Sequence, residues 1–283
     1  MRLRTTSLIV LAAAFTLACA GCGQSRTGGA RDSSSNPGST PSAGHQSATA
    51  DVASECGAPN APGNIVSFRA ADGVRLAGIE AGIGARGVVM VPELGSEGKC
   101  GWWDFGSYLA AKGYQVLLLD HRCTGDSACP PGRADTDLMA DIRGAVSRLH
   151  RDGAVKIALV GGSQGASEAL IAATVPPQGV VGVVAMSADE LPMQLASPPY
   201  PQTAMSAPPR LHLPVLFAVA RDDPYVSVQQ TRELYSTTKS RDKHLIVLPA
   251  AAGHGWDFVS ALPGGRRPGF ANTVVAFLQK LMA

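Results

Sequence analysis

The chain has 283 residues, of which 45% are hydrophobic and 16% are charged, and its formal net charge is +2. This length provides core material for one large domain or two small ones. No basic cluster is larger than Arg266-Arg267, so nucleic-acid binding is disfavoured. The low charged share, together with 32 Gly and 20 Pro, disfavours coiled coils and long helical repeats.

The first 22 residues have the pattern of an export signal. Arg2 and Arg4 precede an uncharged run over 8–18, which has the length of a signal-peptide core and is too short to span a bilayer. Residues 19–22, Cys-Ala-Gly-Cys, resemble the lipidation box of bacterial lipoproteins, with Cys19 where Leu is usual. This resemblance implies that Cys22 is lipidated and holds the protein at the outer face of the bacterial cell membrane. The alternative is an ordinary secretory signal, a plain Cys22 thiol and a secreted protein.

A tether is predicted next. Val52 is the one large apolar residue in 23–55, where Ser, Gly, Ala, Thr and Pro fill most positions. Such a segment cannot bury enough apolar surface to offset the entropy lost on ordering. We therefore predict a disordered tether with an r.m.s. reach of roughly 30 Å. It would separate a signal peptide at 1–22 from one folded domain at 56–283.

Four cysteines remain if Cys19 is removed and Cys22 is acylated. An even number in an oxidising compartment predicts two disulfides, with three possible connectivities. No Cys-x-x-Cys pair remains in the folded part, so a zinc site is disfavoured and no metal is expected. Closeness in sequence favours Cys123 with Cys129, which leaves Cys56 with Cys100.

Short β-rich runs begin near residue 63 and alternate with helical stretches. Runs at 65–68 and 74–79 flank Asp72-Gly73 and predict an antiparallel pair. The later runs are nearly continuous in apolar character, which is typical of parallel strands buried on both faces. They lie at 87–91, 116–119, 155–160, 180–185, 215–219 and 244–248.

Helical patterns separate these strands. Asp135 and Asp137 fall in the predicted first turn of the second helix, where negative charge suits the helix dipole. Trp102 and Trp103 begin the first helix, and we expect core packing for both, with a place in the cleft as the alternative for one. The alternation indicates an open α/β domain whose mostly parallel sheet binds ligands beyond its carboxyl ends. The helices are predicted at 102–112, 135–151, 164–174, 227–238 and 270–282.

A G-x-S-x-G pattern at 161–165 joins one strand directly to a helix. This context forces Ser163 into a strained turn, and Gly161 and Gly165 lack the Cβ atoms that would collide there. The hydroxyl would project above the sheet, where the helix N-terminus favours developing negative charge. The pattern is unspecific alone, and the alternative is a simple Gly-rich turn.

A serine nucleophile needs a base and a carboxylate that orients the base. Of six histidines, only His254 lies in a Gly-flanked loop just beyond the last predicted strand. The alternative is a surface histidine without a role. Asp222 and Asp223 follow one strand and Asp189 follows another, so the order of residues leaves three candidate acids open.

Serine, acid and histidine in this chain order resemble the α/β-hydrolase family over residues 64–283. Residues 120–127, Asp-His-Arg-Cys-Thr-Gly-Asp-Ser, are similar to the family's D-x-R-G-x-G-x-S loop, with Cys123 in place of a glycine. Asp-Pro-x-Val at 223–226 also resembles a family pattern. The resemblance implies an α/β-hydrolase fold with Ser163 as nucleophile, Asp223 as acid and His254 as base.

The same resemblance implies an oxyanion hole made by the backbone N–H groups of Gln164 and of a residue after the strand at 87–91. Leu94 is the expected donor there. Pro92 and Glu93 depart from the family's His-Gly at this place. A carboxylate beside the hole opposes the charge that the hole stabilises, unless it points into solvent or binds a cationic substrate group. We take cationic-substrate binding as the hypothesis for Glu93.

The implied activity is acyl transfer from an ester, lactone or peptide through an acyl-enzyme, with no metal or organic cofactor. The implied partners are a small-molecule acyl substrate and, through the lipid, a membrane. Six prolines between 189 and 213 predict a short, mostly irregular flap, with one helical turn near 191–195, in place of a large cap. The competing functions are a hydrolase-fold lipoprotein that binds without turnover, supported by Pro92-Glu93, and a cofactor-free peroxide-using relative.

Overall fold

The computed structural model describes residues 51–57, 62–95, 97–131, 137–189, 199–201 and 203–283. The predicted signal peptide, its Cys22 and nearly all of the predicted tether lie outside these residues. In the described part, none of the helices combines the length and the apolar character needed to cross a membrane.

The core element of the described part is one sheet of eight strands. They are β1 (Gly63–Arg69), β2 (Arg75–Ala81), β3 (Arg86–Val91), β4 (Gln115–Leu119), β5 (Lys156–Gly162), β6 (Val180–Met186), β7 (Val215–Ala220) and β8 (Lys243–Leu248).

Their order across the sheet is β1-β2-β4-β3-β5-β6-β7-β8. Strand β2 pairs antiparallel with both β1 and β4, and every other neighbouring pair is parallel. The predicted antiparallel opening pair and the mostly parallel sheet are therefore confirmed.

Helices cover both faces of this sheet. Side chains of α4, α5 and α6 join one buried cluster, and side chains of α3 and α7 join the other. Strands β4 and β7, which have neighbours on both sides, are buried along their whole length, whereas β8 at the edge is half-exposed. The helices are α1 (Val52–Cys56), α2 (Gly98–Gly101), α3 (Trp103–Ala111), α4 (Leu138–Arg151), α5 (Gln164–Ala172), α6 (Val228–Thr237) and α7 (Gly269–Met282).

Four of the five predicted helix starts are displaced, three of them by one residue and that of α4 by three. Helix α4 begins at Leu138, because the side chain of Asp137 accepts a hydrogen bond from the Ala140 N–H at 3.1 Å and caps the helix. Asp137 therefore precedes the first turn, and Asp135 lies outside the described residues. Helix α3 begins at Trp103, after the short α2. Both tryptophans are buried as expected, and the Trp102 indole N–H donates to the Val91 carbonyl at 2.8 Å.

Regular structure is present before the predicted domain boundary at residue 56. Asp51 forms a bridge with Asn64, and Val52 is buried on the sheet at the start of α1. Glu55 pairs with the buried ammonium group of Lys99. The tether prediction is therefore wrong for residues 51–55, because one apolar side chain and one ion pair hold this short helix.

Two disulfides have the predicted connectivity. Cys56–Cys100 joins α1 to α2, and Cys123–Cys129 closes a small loop after β4. Cys123 has a φ of 63°, in the left-handed region that favours glycine. The backbone thus keeps the conformation expected at the glycine position of the D-x-R-G loop, while the side chain takes part in a cross-link.

We expect the two disulfides to contribute unequally to stability. They span 44 and 6 residues, and loop-closure entropy predicts losses of about 4 kcal/mol for Cys56→Ser/Cys100→Ser and about 2 kcal/mol for Cys123→Ser/Cys129→Ser. Urea unfolding of both double variants without reductant measures these losses. Equal losses would contradict the entropic account.

The segment before β7 has little regular structure where it is described. It contains two 3-10 turns, Ala204–Ser206 and Pro208–Arg210. Pro208 and Pro209 supply no N–H, so the first turn cannot continue through them, and they form the first positions of the second turn, where no N–H is needed. The helical turn predicted at 191–195 lies outside the described residues.

Candidate active site

Five strands bring the predicted site residues to one edge of the sheet. Strands β3, β5, β6, β7 and β8 run parallel, so their carboxyl ends meet at the same edge. This is the edge at which open α/β sheets bind ligands. The residues that follow these strands are Glu93 and Leu94, Ser163, Ser187 and Asp189, Asp223, and His254.

Ser163 occupies a strained turn between β5 and α5. Its φ of 51° and ψ of −124° lie outside the regions that ordinary residues prefer. A Cβ at Gly161 would collide with the Gly165 carbonyl, and one at Gly165 would collide with the carbonyls of Val91 and Pro92. The two glycines therefore permit the close approach that raises the Ser163 side chain above the sheet.

His254 and Asp223 form a hydrogen-bonded acid and imidazole pair at this edge. The His254 Nδ1 atom lies 2.9 Å from Oδ1 and 3.0 Å from Oδ2 of Asp223. The carboxylate is fully buried, and its Oδ1 also accepts hydrogen bonds from the backbone N–H groups of Tyr225 and Val226, both at 3.0 Å. An ionised carboxylate only accepts, so Nδ1 carries the proton and Nε2 of the neutral ring is left as a proton acceptor.

The pKa shifts of this pair have opposite directions. Burial acts to raise the pKa of Asp223, but the hydrogen bonds from His254, Ser187 and the backbone outweigh it, so the net shift is downward. Burial acts to lower the pKa of His254, and Asp223, Glu93 and Asp189 together raise it above its ordinary value. The site therefore favours an imidazolium beside a charged Asp223.

Ser187 connects the acid to the histidine loop, and the sequence analysis missed it. Its Oγ–H donates to Asp223 Oδ2 at 2.6 Å, and its Oγ accepts from the Gly255 N–H at 3.0 Å. The residue is fully buried with a φ of 53° at the end of β6. A serine that follows a strand matches no sequence motif. Its position at the carboxyl end of a parallel strand was the one feature that could have marked Ser187 as a site residue.

The two alternative acids have other neighbours. Asp222 accepts hydrogen bonds from the Ala251 N–H, at 2.9 and 3.0 Å. Asp189 lies beside the candidate nucleophile, and the Ser163 hydroxyl donates to its Oδ2 at 3.4 Å. In the described part of the chain, no hydrogen bond joins Ser163 directly to His254. Among the same residues, no group of three or more His, Cys, Asp or Glu side chains is arranged to hold a metal ion.

Two backbone N–H groups flank the Ser163 turn. Gln164 is the first residue of α5, and neither its N–H nor that of Leu94 donates to a described residue. The Gln164 side chain is buried and donates to Glu168 Oε1 at 2.7 Å. The Leu94 side chain is 65% exposed. Neither predicted oxyanion donor is thus engaged by a hydrogen bond within the described residues.

Glu93 is directed into the protein. Its Oε1 accepts a hydrogen bond from the Trp256 N–H at 2.7 Å, and it occupies the space that Cβ atoms on Gly162 and Gly255 would need. Burial raises its pKa to about 7 against the effects of Trp256 and His254. The solvent-directed alternative for Glu93 is therefore wrong, and its carboxyl group lies beside the histidine loop.

Comparisons with known proteins agree with this architecture. The sequence matches the model of the alpha/beta hydrolase fold over residues 88–256, more than half of the chain. No curated protein matches the sequence significantly. Solved structures with similar folds include two esterases and a monoacylglycerol lipase. An esterase of Pyrococcus furiosus is 19% identical, with a TM-score of 0.63, and the match covers 78% of this chain and 93% of that one.

The other two have comparable values. The esterase EaEST of Exiguobacterium antarcticum is 14% identical, with a TM-score of 0.59 and coverage of 76% and 99%. The monoacylglycerol lipase of Paleococcus ferrophilus is 18% identical, with a TM-score of 0.55 and coverage of 72% and 98%. At these identities the structures show a shared fold, and the family model carries the assignment. The chain therefore belongs to the α/β-hydrolase family.

Proposed function

We propose that the protein is a serine hydrolase that works by acyl transfer. Ser163 is the nucleophile, His254 the general base and Asp223 the acid that orients it. The observation that carries the proposal is the buried Asp223–His254 pair at the same sheet edge as Ser163 in its strained turn. A surface histidine would have no reason to face a buried carboxylate held by three further hydrogen bonds.

The reaction follows from the proton positions. Nε2 of neutral His254 takes the proton of the Ser163 hydroxyl as Oγ bonds to the substrate carbonyl carbon. The resulting imidazolium is stabilised by Asp223. The tetrahedral intermediate then expels its leaving group, which receives the proton from His254, and an acyl-serine remains. A water molecule then attacks the acyl-serine in the same way, with His254 again taking the proton, and the carboxylic acid product leaves as free Ser163 is regenerated.

The oxyanion of each intermediate would be bound by the N–H groups of Gln164 and Leu94. The first is at the N-terminus of α5, where the helix dipole adds positive potential. Donors that make no other hydrogen bond need not break one when the charge develops. This preorganisation supports a role in transition-state binding.

The substrate class is an acyl compound: an ester, lactone or peptide. Two of the similar structures described above are esterases and the third is a monoacylglycerol lipase. These names favour a carboxylic ester within the class.

We further propose that the protein is exported. Two disulfides fit an oxidising compartment. Lipidation of Cys22 would hold the domain at the outer face of the membrane, and without it the protein would be secreted. Mass spectrometry of the mature N-terminus separates these outcomes.

The proposed activity predicts covalent labelling of one serine. A fluorophosphonate probe should label the purified wild type, because only an activated serine attacks it. Ser163→Ala should lose labelling entirely, since the attacking oxygen is absent. Ser236→Ala is the matched control, because Ser236 lies on exposed α6, and it should label like the wild type. In-gel fluorescence measures the labelling, and circular dichroism checks that each variant is folded. A folded wild type that is not labelled would support the non-catalytic alternative instead.

A further inference from the structure

One side chain connects the three loops of the proposed site. Glu93 follows β3 and directly precedes Leu94, the proposed oxyanion donor. Its carboxyl group lies against Gly162, the residue before the nucleophile, and against Gly255, the residue after the base. The Trp256 N–H completes the connection through its 2.7 Å hydrogen bond to Oε1.

The packing leaves little room for any other group at this place. A Cβ on Gly255 would overlap the Glu93 carboxyl group, and Gly255 also has a φ of 51°. Gly255 is also held on its other side, because its N–H donates a hydrogen bond to the Ser187 Oγ atom. The loop that carries His254 is therefore clamped between two side-chain acceptors, one neutral and one acidic.

We propose that Glu93 is a positioning residue that holds the His254 loop against the nucleophile turn and sets the pH at which His254 loses its proton. The proposal deepens the proposed function and rests on it for the role of His254. Glu93 would act through the imidazole without touching the substrate, and this role replaces the cationic-substrate hypothesis because the carboxyl group is packed against Gly162, Gly255 and the Trp256 N–H.

The charges around the two groups determine the sign of the effect. Glu93 faces His254, Asp257 and Glu97, and His254 also faces Asp223 and Asp189. When Glu93 is ionised, it favours the imidazolium and keeps His254 protonated to higher pH. Burial raises the Glu93 pKa to about 7, and the neighbouring carboxylates raise the His254 pKa, so the two groups are expected to titrate as a coupled pair. Activity that needs neutral His254 is therefore expected to rise gradually with pH.

Glu93→Gln separates charge from hydrogen bonding. The amide oxygen can still accept from the Trp256 N–H, but the negative charge is removed. The His254 pKa should fall by about one unit, and the acid limb of kcat/KM should move to lower pH and become steeper. Glu93→Ala also removes the acceptor, and its kcat at the alkaline plateau should fall about tenfold.

The His254 pKa can be measured without turnover. Nuclear magnetic resonance titration of the ring protons, assigned with a His254→Asn variant, gives it in the wild type and in Glu93→Gln. Glu233→Gln is the matched control, because Glu233 is an exposed carboxylate on α6 that is not among the charges facing Glu93 or His254, and it should leave the His254 titration in place. Identical titrations of wild type and Glu93→Gln would overturn the proposal. A folded wild type that the fluorophosphonate probe does not label would instead overturn the proposed function, whatever the titration shows.

Discussion

Replacing Asp223 by Asn should lower kcat about 10³- to 10⁴-fold with little change in the fold. The two backbone N–H groups of Tyr225 and Val226 will hold the amide oxygen at the Oδ1 position. The amide NH₂ then occupies the Oδ2 position and donates toward His254 Nδ1. This favours the reversed tautomer, with the proton on Nε2, because the NH₂ group at the Oδ2 position, 3.0 Å from Nδ1, would collide with a proton on Nδ1. A ring with a proton on Nε2 cannot take the proton of Ser163.

Asp222→Asn is the matched control for this prediction. The Asp222 carboxylate accepts from the Ala251 N–H in the loop after β8, so its loss weakens one exposed contact. We expect kcat to change by less than about tenfold. Steady-state kinetics on a short-chain ester, with thermal unfolding of each variant, measures both effects. Comparable losses in the two variants would remove the assignment of Asp223 as the acid.

Local chemistry explains why the Ser163 turn could be predicted. The prediction depended on two glycines at fixed spacing between a strand and a helix, and the collisions at Gly161 and Gly165 are backbone contacts within that same turn and with β3. His254 could be placed because it alone follows the last strand in a Gly-flanked loop. Both inferences use short-range features that are visible in the order of residues.

The choice between adjacent acids needed more than the sequence pattern. Asp222 and Asp223 follow the same strand and differ in which way their side chains point. The Asp223 carboxylate accepts hydrogen bonds from the N–H groups of Tyr225 and Val226, whereas the Asp222 carboxylate accepts one from the Ala251 N–H. That division depends on the loop conformation, so the residues alone left both possible and the family resemblance made the choice.

Contacts between distant segments could not be predicted. Ser187 reaches Asp223 and Gly255 because β6, β7 and the loop after β8 end side by side. The inward direction of Glu93 depends on the same juxtaposition. Helix α1 was missed for a different reason. The average composition of residues 23–55 is typical of a disordered segment, and it gave no sign that Val52 would be buried in the core.

A second network of buried charge lies beneath the proposed site. The His121 ring, which is fully inside the protein, makes a 2.6 Å ion pair with Glu168 through Nε2 and lies 3.4 Å from Asp141 through Nδ1. Glu168 in turn accepts from the side chain of Gln164. Asp141 also pairs with Arg122 at 2.7 Å. The D-x-R loop is thereby connected to the first turn of α5, the helix that begins next to Ser163.

The two carboxylates decide the charge of His121. Burial acts to lower its pKa, but Glu168 and Asp141 outweigh burial and raise the pKa to about 10. The unfolded chain binds this proton with the ordinary pKa of about 6.5. The folded state therefore holds an extra proton between these values. The stabilisation is complete below pH 6.5 and is lost as pH rises through about 10.

The free energy of unfolding of the wild type is thus expected to fall as pH rises from 6.5 toward 10, and His121→Gln should flatten this fall. At pH 6.5 the variant should be less stable by about 3–5 kcal/mol, because Glu168 is left buried without its cationic partner. His254 also has a raised pKa and contributes in the same direction. His254 is present in both proteins, so the difference between their free energies of unfolding reports the contribution of His121 alone.

Urea unfolding at several pH values between 6.5 and 10 measures this difference. His244→Gln is the matched control, because His244 pairs with Asp242 at 2.9 Å on the exposed edge strand β8. An exposed pair contributes about 0–1 kcal/mol, so this variant should keep the slope of the wild type. A wild type and His121→Gln that lose stability in parallel would show that His121 is neutral in the folded protein. The imidazole would then serve the network as a hydrogen-bonding group and not as a cation.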